Sequence, residues 1–123
     1  MRALWIGIAG AAGALARYGI GGVIARANRG AFPAGTFVVN VSGCFLLGLV
    51  FVLLTERFLP HPTTRTALTV GFLGAYTTFS TFSLETVRLA EDGAVLLAAA
   101  NVAGSVLAGL VAIVAGMWIG RAI

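Results

Sequence analysis

The chain has no lysine, one cysteine, one histidine, three prolines and only four acidic residues among its 123 positions. Charged residues make up 10% of it, against roughly a quarter in an ordinary soluble domain. Too few polar groups are present to build a hydrated shell around a core, so a water-soluble domain is excluded. The lone Cys44 allows neither a disulfide framework nor a Cys/His metal cluster. His61 stands alone between Pro60 and Pro62. No nucleophile–base pair, phosphate-cradling loop or metal-ligand spacing is found, which speaks against an enzyme. The formal charge of +4 and pI near 10.7 come from eight arginines that are scattered rather than clustered. They form no nucleic-acid-binding patch and read as anchors at a membrane surface.

What is present is apolar. Hydrophobic residues are 59% of the chain and its mean hydropathy is +1.02. Four apolar segments, at about 3–25, 35–54, 66–89 and 94–119, are separated by the only clusters of charges, glycine and proline. A transmembrane helix takes about 20 residues, so four use about 80 and leave no room for a fifth. The expectation is an all-α integral-membrane domain over 1–123 with four transmembrane helices, since lipid offers no partner to free backbone groups. The first segment is too long for a cleavable signal and lacks a small-residue cleavage site.

Short loops make neighbouring helices antiparallel and put both termini on one side. Arg2, Arg57, Arg65 and Arg121 then fall with the termini, and Arg26, Arg29 and Arg88 fall opposite. Four against three is almost no orientation signal under the positive-inside rule. Either one well-placed arginine decides the matter, or the chain inserts both ways and pairs antiparallel. Small residues favour close helix contacts. The fourth segment repeats Ala100, Gly104, Ala108, Ala112, Gly116 and Gly120 every four positions, flanked by Asn101, Ser105 and Gly109. So much glycine suits an oligomer better than an isolated bundle.

The third segment departs from this pattern. It reads Gly71-Phe-Leu-Gly74-Ala-Tyr-Thr77-Thr78-Phe79-Ser80-Thr81-Phe82-Ser83, with five hydroxyls near mid-membrane. Glycine followed by β-branched threonines is weak helix sequence, so a helix broken mid-membrane is expected. Such a break exposes carbonyls able to coordinate a cation, provided it is buried in protein or lines a wet cavity. Phe79 and Phe82 share one helix face if the helix resumes, and the positive edge of an aromatic ring attracts anions. Asn40, the only amide of the second segment, either glues helices together or donates N–H to an anion. Arg17 lies inside the first segment, where it snorkels to an interface or raises the potential of an anion vestibule. Glu85 is the only acid inside a segment, at i,i+3 to Arg88.

Three stretches together resemble the CrcB/Fluc family of fluoride channels: Gly10-Ala-Ala-Gly13-Ala14-Leu-Ala-Arg17-Tyr18, Gly35-Thr36-Phe-Val-Val-Asn40-Val-Ser-Gly43, and Gly74-Ala-Tyr-Thr77-Thr78-Phe79-Ser80-Thr81-Phe82. The resemblance implies an antiparallel, dual-topology homodimer in the cell (inner) membrane, with two narrow fluoride pores and a central structural sodium ion. It implies that Asn40, Phe79 and Phe82 line the fluoride path, with Ser80, Thr81 and Ser105 as further polar lining. Backbone carbonyls of Gly74 and Thr77 from both subunits would hold the sodium, and Arg17 matches the family's first-helix arginine. Two positions depart from the pattern: Gly74-Ala75-Tyr76 stands where members often have Gly-Gly-Leu/Thr, and Gly109 where some carry a hydroxyl. The function implied is passive, fluoride-selective exit from the cytoplasm that protects against fluoride toxicity. The alternative is a small multidrug-type proton-coupled exporter, also a four-helix pair, but its chemistry needs a glutamate in the first helix, where this chain has no acid. A non-transporting accessory subunit would explain the glycine stripes and leave Asn40, Phe79 and Phe82 without a role.

Overall fold

In the computed structural model, which describes Met1–Ile123, the chain is helical throughout. Helix α1 spans Arg2–Ala27 and α2 spans Ala34–Arg57, the last turn of α2 (Leu53–Arg57) widening into π geometry. Helix α3 covers residues 62–76; it begins as α-helix at Pro62–Thr66, widens to π over Ala67–Leu73 and closes with Gly74–Tyr76. Helices α4, Phe79–Glu91, and α5, Val95–Ala122, complete the chain. Three helices, α1, α2 and α5, are long and apolar enough to cross a bilayer. The expected third segment is divided between α3 and α4, neither of which reaches that length alone.

The division has a local cause. Thr77 (φ −81°, ψ 158°) and Thr78 (φ −149°, ψ 114°) are extended, as β-branched residues favour. The Thr78 hydroxyl then accepts the N–H of Thr81, so the chain re-enters a helix through an N-cap. The other turns also rest on local chemistry. Asn28 closes the α1–α2 connection through its Nδ2, which donates to the Phe32 carbonyl at 2.6 Å. His61 Nδ1 accepts the Thr63 N–H at the start of α3. Gly93, at φ 81°, makes the α4–α5 turn, a left-handed conformation that glycine adopts without a steric penalty.

Backbones meet where glycine removes the side chain. A methyl on Gly116 would run into the Phe45 carbonyl, and one on Gly48 into the Ile113 carbonyl, so α2 and α5 interlock at both positions. Gly120 faces Val52 and the Leu49 carbonyl at the same crossing. The small-residue stripe of α5 therefore meets α2 along its C-terminal half. A second crossing joins α1 to α3: Gly13 faces the Phe72 carbonyl and Gly71 faces the Ile6 carbonyl. The ends of α2 and α5 are tied by Arg121 to Glu56 at 3.3 Å, and by Arg57 Nη2 donating to the Arg121 carbonyl at 2.6 Å.

Only 16 of 123 residues are buried within the chain, and the apolar core is confined to Val39, Val52, Leu73, Tyr76, Leu89 and Ala98. The exposed surface carries Leu107, Leu110, Val111, Val114 and Trp118 on α5 alone. Such a surface is stable against lipid or another apolar protein face, not against water.

Candidate functional site

Asn40, on α2, faces the two extended threonines. Its Nδ2 donates to the Thr78 carbonyl at 3.0 Å, and its Oδ1 accepts the Thr78 N–H at 2.8 Å. One side-chain amide thus replaces both backbone partners that Thr78 would have had in a continuous helix. Gly43, one turn further on α2, leaves the space that Thr77 Cγ2 and the Tyr76 ring occupy. Tyr76 is buried, stacks on Phe72 with centroids 6.1 Å apart, and hydrogen-bonds Ser42 at 2.9 Å. The single proton of Ser42 goes to the Val39 carbonyl, so the Tyr76 hydroxyl is the donor of that pair.

This arrangement frees carbonyl oxygens. In an unbroken helix the Gly74 carbonyl would accept from the N–H of Thr78, which here goes to Asn40. The Thr77 carbonyl would accept from the N–H of Thr81, which goes to the Thr78 hydroxyl, and it accepts no other backbone hydrogen bond. Both are neutral, hard oxygen donors. No cluster of His, Cys, Asp or Glu that could hold a metal is formed elsewhere. A hard cation suits such a donor set better than a soft metal.

A cavity of about 320 Å³ opens beside the break, and it brings together most of the residues expected to act jointly. Asn40, Phe79, Phe82 and Ser105 line it, along with Gly74, Thr77 and Thr78. The Phe79 and Phe82 rings lie 5.6 Å apart and tilted by 42°. Phe79 is 80% exposed in the isolated chain, so its outer face is open to whatever packs there. A larger concavity of about 640 Å³ lies on the other side of Thr78, lined by Arg17, Arg26, Thr36, Thr78, Thr81 and Glu85 among others. Thr78 is the shared wall of the two.

Not every expected residue joins the first cavity. Thr81 lines the larger concavity with Arg17, and Ser80 lines neither, being exposed with its hydroxyl 3.5 Å from that of Thr78. Glu85 does not pair with Arg88. Its Oε1 accepts from the Thr36 hydroxyl at 2.9 Å, which ties α4 to α2 instead, and the chain's one ion pair is Arg121–Glu56.

Three residues with organising roles carry little signal in the sequence. Thr78 is one of five hydroxyls in the third segment, with Thr81 rather than Glu or Gln three positions later, so no capping box marks it. Tyr76 stands out in the sequence only as a bulky departure from the family's pattern, and nothing in the sequence marks Thr86. Their partners, Ser42 and Asn101, lie 34 and 15 positions away.

Comparison with known proteins adds a lineage. Residues 4–117 match the family model described as CrcB-like protein, Camphor Resistance (CrcB). A protein of Solibacter usitatus named fluoride-specific ion channel FluC is 50% identical over 98% of this chain and 99% of its own length. One of the same name from Nitratidesulfovibrio vulgaris is 47% identical over 94% of both chains. A relative from Geobacillus kaustophilus, named fluoride-specific ion channel FluC 2, is 49% identical over 92% of this chain and 88% of its own.

Proposed function

The chain belongs to the CrcB-like family, and from that premise we propose that it is a fluoride-selective channel through which fluoride leaves the cytoplasm passively. The observation that carries the reading is the cavity in which Asn40, Phe79, Phe82 and Ser105 meet beside two extended threonines. Fluoride is small and strongly hydrated, so a selective path must replace its water with donors at close range. Here the donors are an amide N–H, hydroxyls and the positive edges of two phenyl rings. None carries a full charge. Conduction needs several sites of modest strength, because one that binds too tightly does not release the ion.

The larger concavity, with Arg17 and Arg26 on its wall, supplies positive potential where the ion enters. Residues 62–91 form the third of four spans, interrupted near mid-membrane. Unsatisfied carbonyls at that depth are tolerated where they line a wet cavity, and Gly74 and Thr77 stand on the wall of the 320 Å³ cavity. The exposed apolar faces and the near-even arginine count fit an antiparallel homodimer of dual topology in the cell inner membrane. In that dimer the Gly74 and Thr77 carbonyls of both subunits would hold a structural sodium ion. The ion, when bound, offsets the mutual repulsion of converging carbonyl dipoles. The channel reading, carried by the names of the relatives, makes the protein a passive conductor rather than an enzyme.

Purified protein reconstituted into liposomes tests the whole reading. Fluoride efflux that collapses a fluoride gradient without a pH gradient, while chloride is retained, is the expected result. Efflux that requires a proton gradient would identify an exporter, and vesicles with no efflux would leave only an accessory role.

A further inference from the structure

Asn101 is the most deeply enclosed polar residue of the chain, at 1% exposure, and it does not line the pore cavity, although it hydrogen-bonds Ser105, which does. Its Nδ2 donates to the Thr86 hydroxyl at 2.9 Å, and its Oδ1 accepts from the Ser105 hydroxyl at 3.3 Å. Thr86 in turn donates to the Phe82 carbonyl at 2.7 Å. The direction of this relay is forced. A carbonyl can only accept, so the single Thr86 proton goes to Phe82, and Thr86 must accept from Asn101. The amide nitrogen of Asn101 therefore faces Thr86, and its oxygen faces Ser105. Only the proton of Ser105 can satisfy that oxygen.

We infer that Asn101 is a positioning residue that competes with the permeating anion for the hydroxyl proton of Ser105. With that proton on Asn101, Ser105 presents lone pairs to the cavity and attracts no anion. To solvate fluoride the hydroxyl must turn away from Asn101, leaving a buried amide oxygen without its donor. That cost keeps the Ser105 site weak, as release requires. The same relay ends on the backbone of Phe82, so the hydroxyl and the ring that face one cavity are held by a common chain of hydrogen bonds. The inference rests on the channel reading above.

The test is the concentration dependence of fluoride efflux in proteoliposomes. Asn101→Leu removes the competing acceptor, and the half-saturating fluoride concentration should fall by about threefold, the order set by one neutral hydrogen bond. Thr86→Val, close to isosteric, frees the amide to turn its N–H toward Ser105 and should act in the same direction, so the test survives if Asn101→Leu does not fold. In a Ser105→Ala background neither substitution should shift the half-saturating concentration. A shift that persists without the Ser105 hydroxyl, or none in either single variant, overturns the inference. Wild-type protein that carries no fluoride overturns the channel reading instead.

Discussion

Replacing Asn40 with aspartate separates two roles that the amide combines. The carboxylate keeps the acceptor for the Thr78 N–H, now charge-assisted, but its second oxygen faces the Thr78 carbonyl, to which Asn40 Nδ2 donates at 3.0 Å. One hydrogen bond is lost and a part-buried carbonyl is left unsatisfied, a cost of about 1–3 kcal/mol. The added charge matters more to an anion. Two unit charges about 4 Å apart repel by about 4 kcal/mol at an effective dielectric of about 20. A third of that repulsion, about 1.4 kcal/mol, already slows passage roughly tenfold. Asn40→Asp should therefore lower fluoride flux at least tenfold in protein that still assembles. Asn40→Leu adds no charge but strips both partners from the Thr78 backbone, so its main effect should be a lower unfolding temperature and poorer assembly. Flux is read with a fluoride electrode on proteoliposomes, and assembly by size-exclusion chromatography. An assembled Asn40→Asp protein with wild-type flux would refute the placement of Asn40 on the anion's path. An Asn40→Leu protein of unchanged stability would refute its role as the clamp of the break.

Phe82→Ile keeps bulk and hydrophobicity but removes the ring edge, and flux should fall about tenfold or more with assembly intact, a barrier rise of about 1.4 kcal/mol; unchanged flux would mean that the ring only packs. A tag on the C-terminus should be labelled from both sides of the membrane, and adding two arginines to one set of loops should lower activity unless an oppositely biased copy is supplied; labelling confined to one side refutes dual topology. Exhaustive replacement of sodium by a larger cation should lower flux or loosen the dimer, and indifference to that exchange would count against a cation at the Gly74 and Thr77 carbonyls. Gly116→Ala should lower the unfolding temperature, because its methyl meets the Phe45 carbonyl, whereas Gly7→Ala, with open space around it, should be neutral or gain up to about 1 kcal/mol from helix propensity. Equal thermal behaviour of the two would undo the account of the α2–α5 crossing.

Much of the fold was legible because the bilayer leaves few alternatives. Long apolar runs bounded by charges become helices whatever their partners, and α1, α2 and α5 lie within a few residues of their expected limits. The glycine stripe of α5 announced a close crossing, but not its partner, since spacing of four marks a face and says nothing of what meets it. That α2 fills this role at Gly48 and Gly116 is known only from the structure. The threonine-rich stretch signalled weak helix, and the chain is extended at Thr77 and Thr78. The wide turns over Ala67–Leu73 carried no signal in the residue pattern. Pairings such as Glu85 with Thr36 were likewise beyond reach. Proximity along a helix suggested Arg88, whereas packing brought a hydroxyl 49 positions away to hydrogen-bonding distance.

The polar groups of the candidate pore share a property that spacing could not reveal: most are already engaged within the protein. Asn40 is engaged with Thr78, Ser105 with Asn101 and Thr78 with Thr81. An anion entering the cavity would therefore meet donors whose protons are committed elsewhere, apart from the second N–H of Asn40 and the ring edges. Solvation of the ion becomes an exchange of hydrogen bonds. A net hydrogen bond is worth only about 1 kcal/mol because one partner replaces another, and the same near-cancellation applies here. Each exchange can then be close to neutral, so that no position along the path becomes a trap. A pore of unengaged donors in low dielectric would bind the ion deeply and hold it, and donors left unpaired between ions would themselves be costly. The internal partners thus do two things at once: they keep the site folded when no ion is present, and they set an upper limit on how tightly it can bind one.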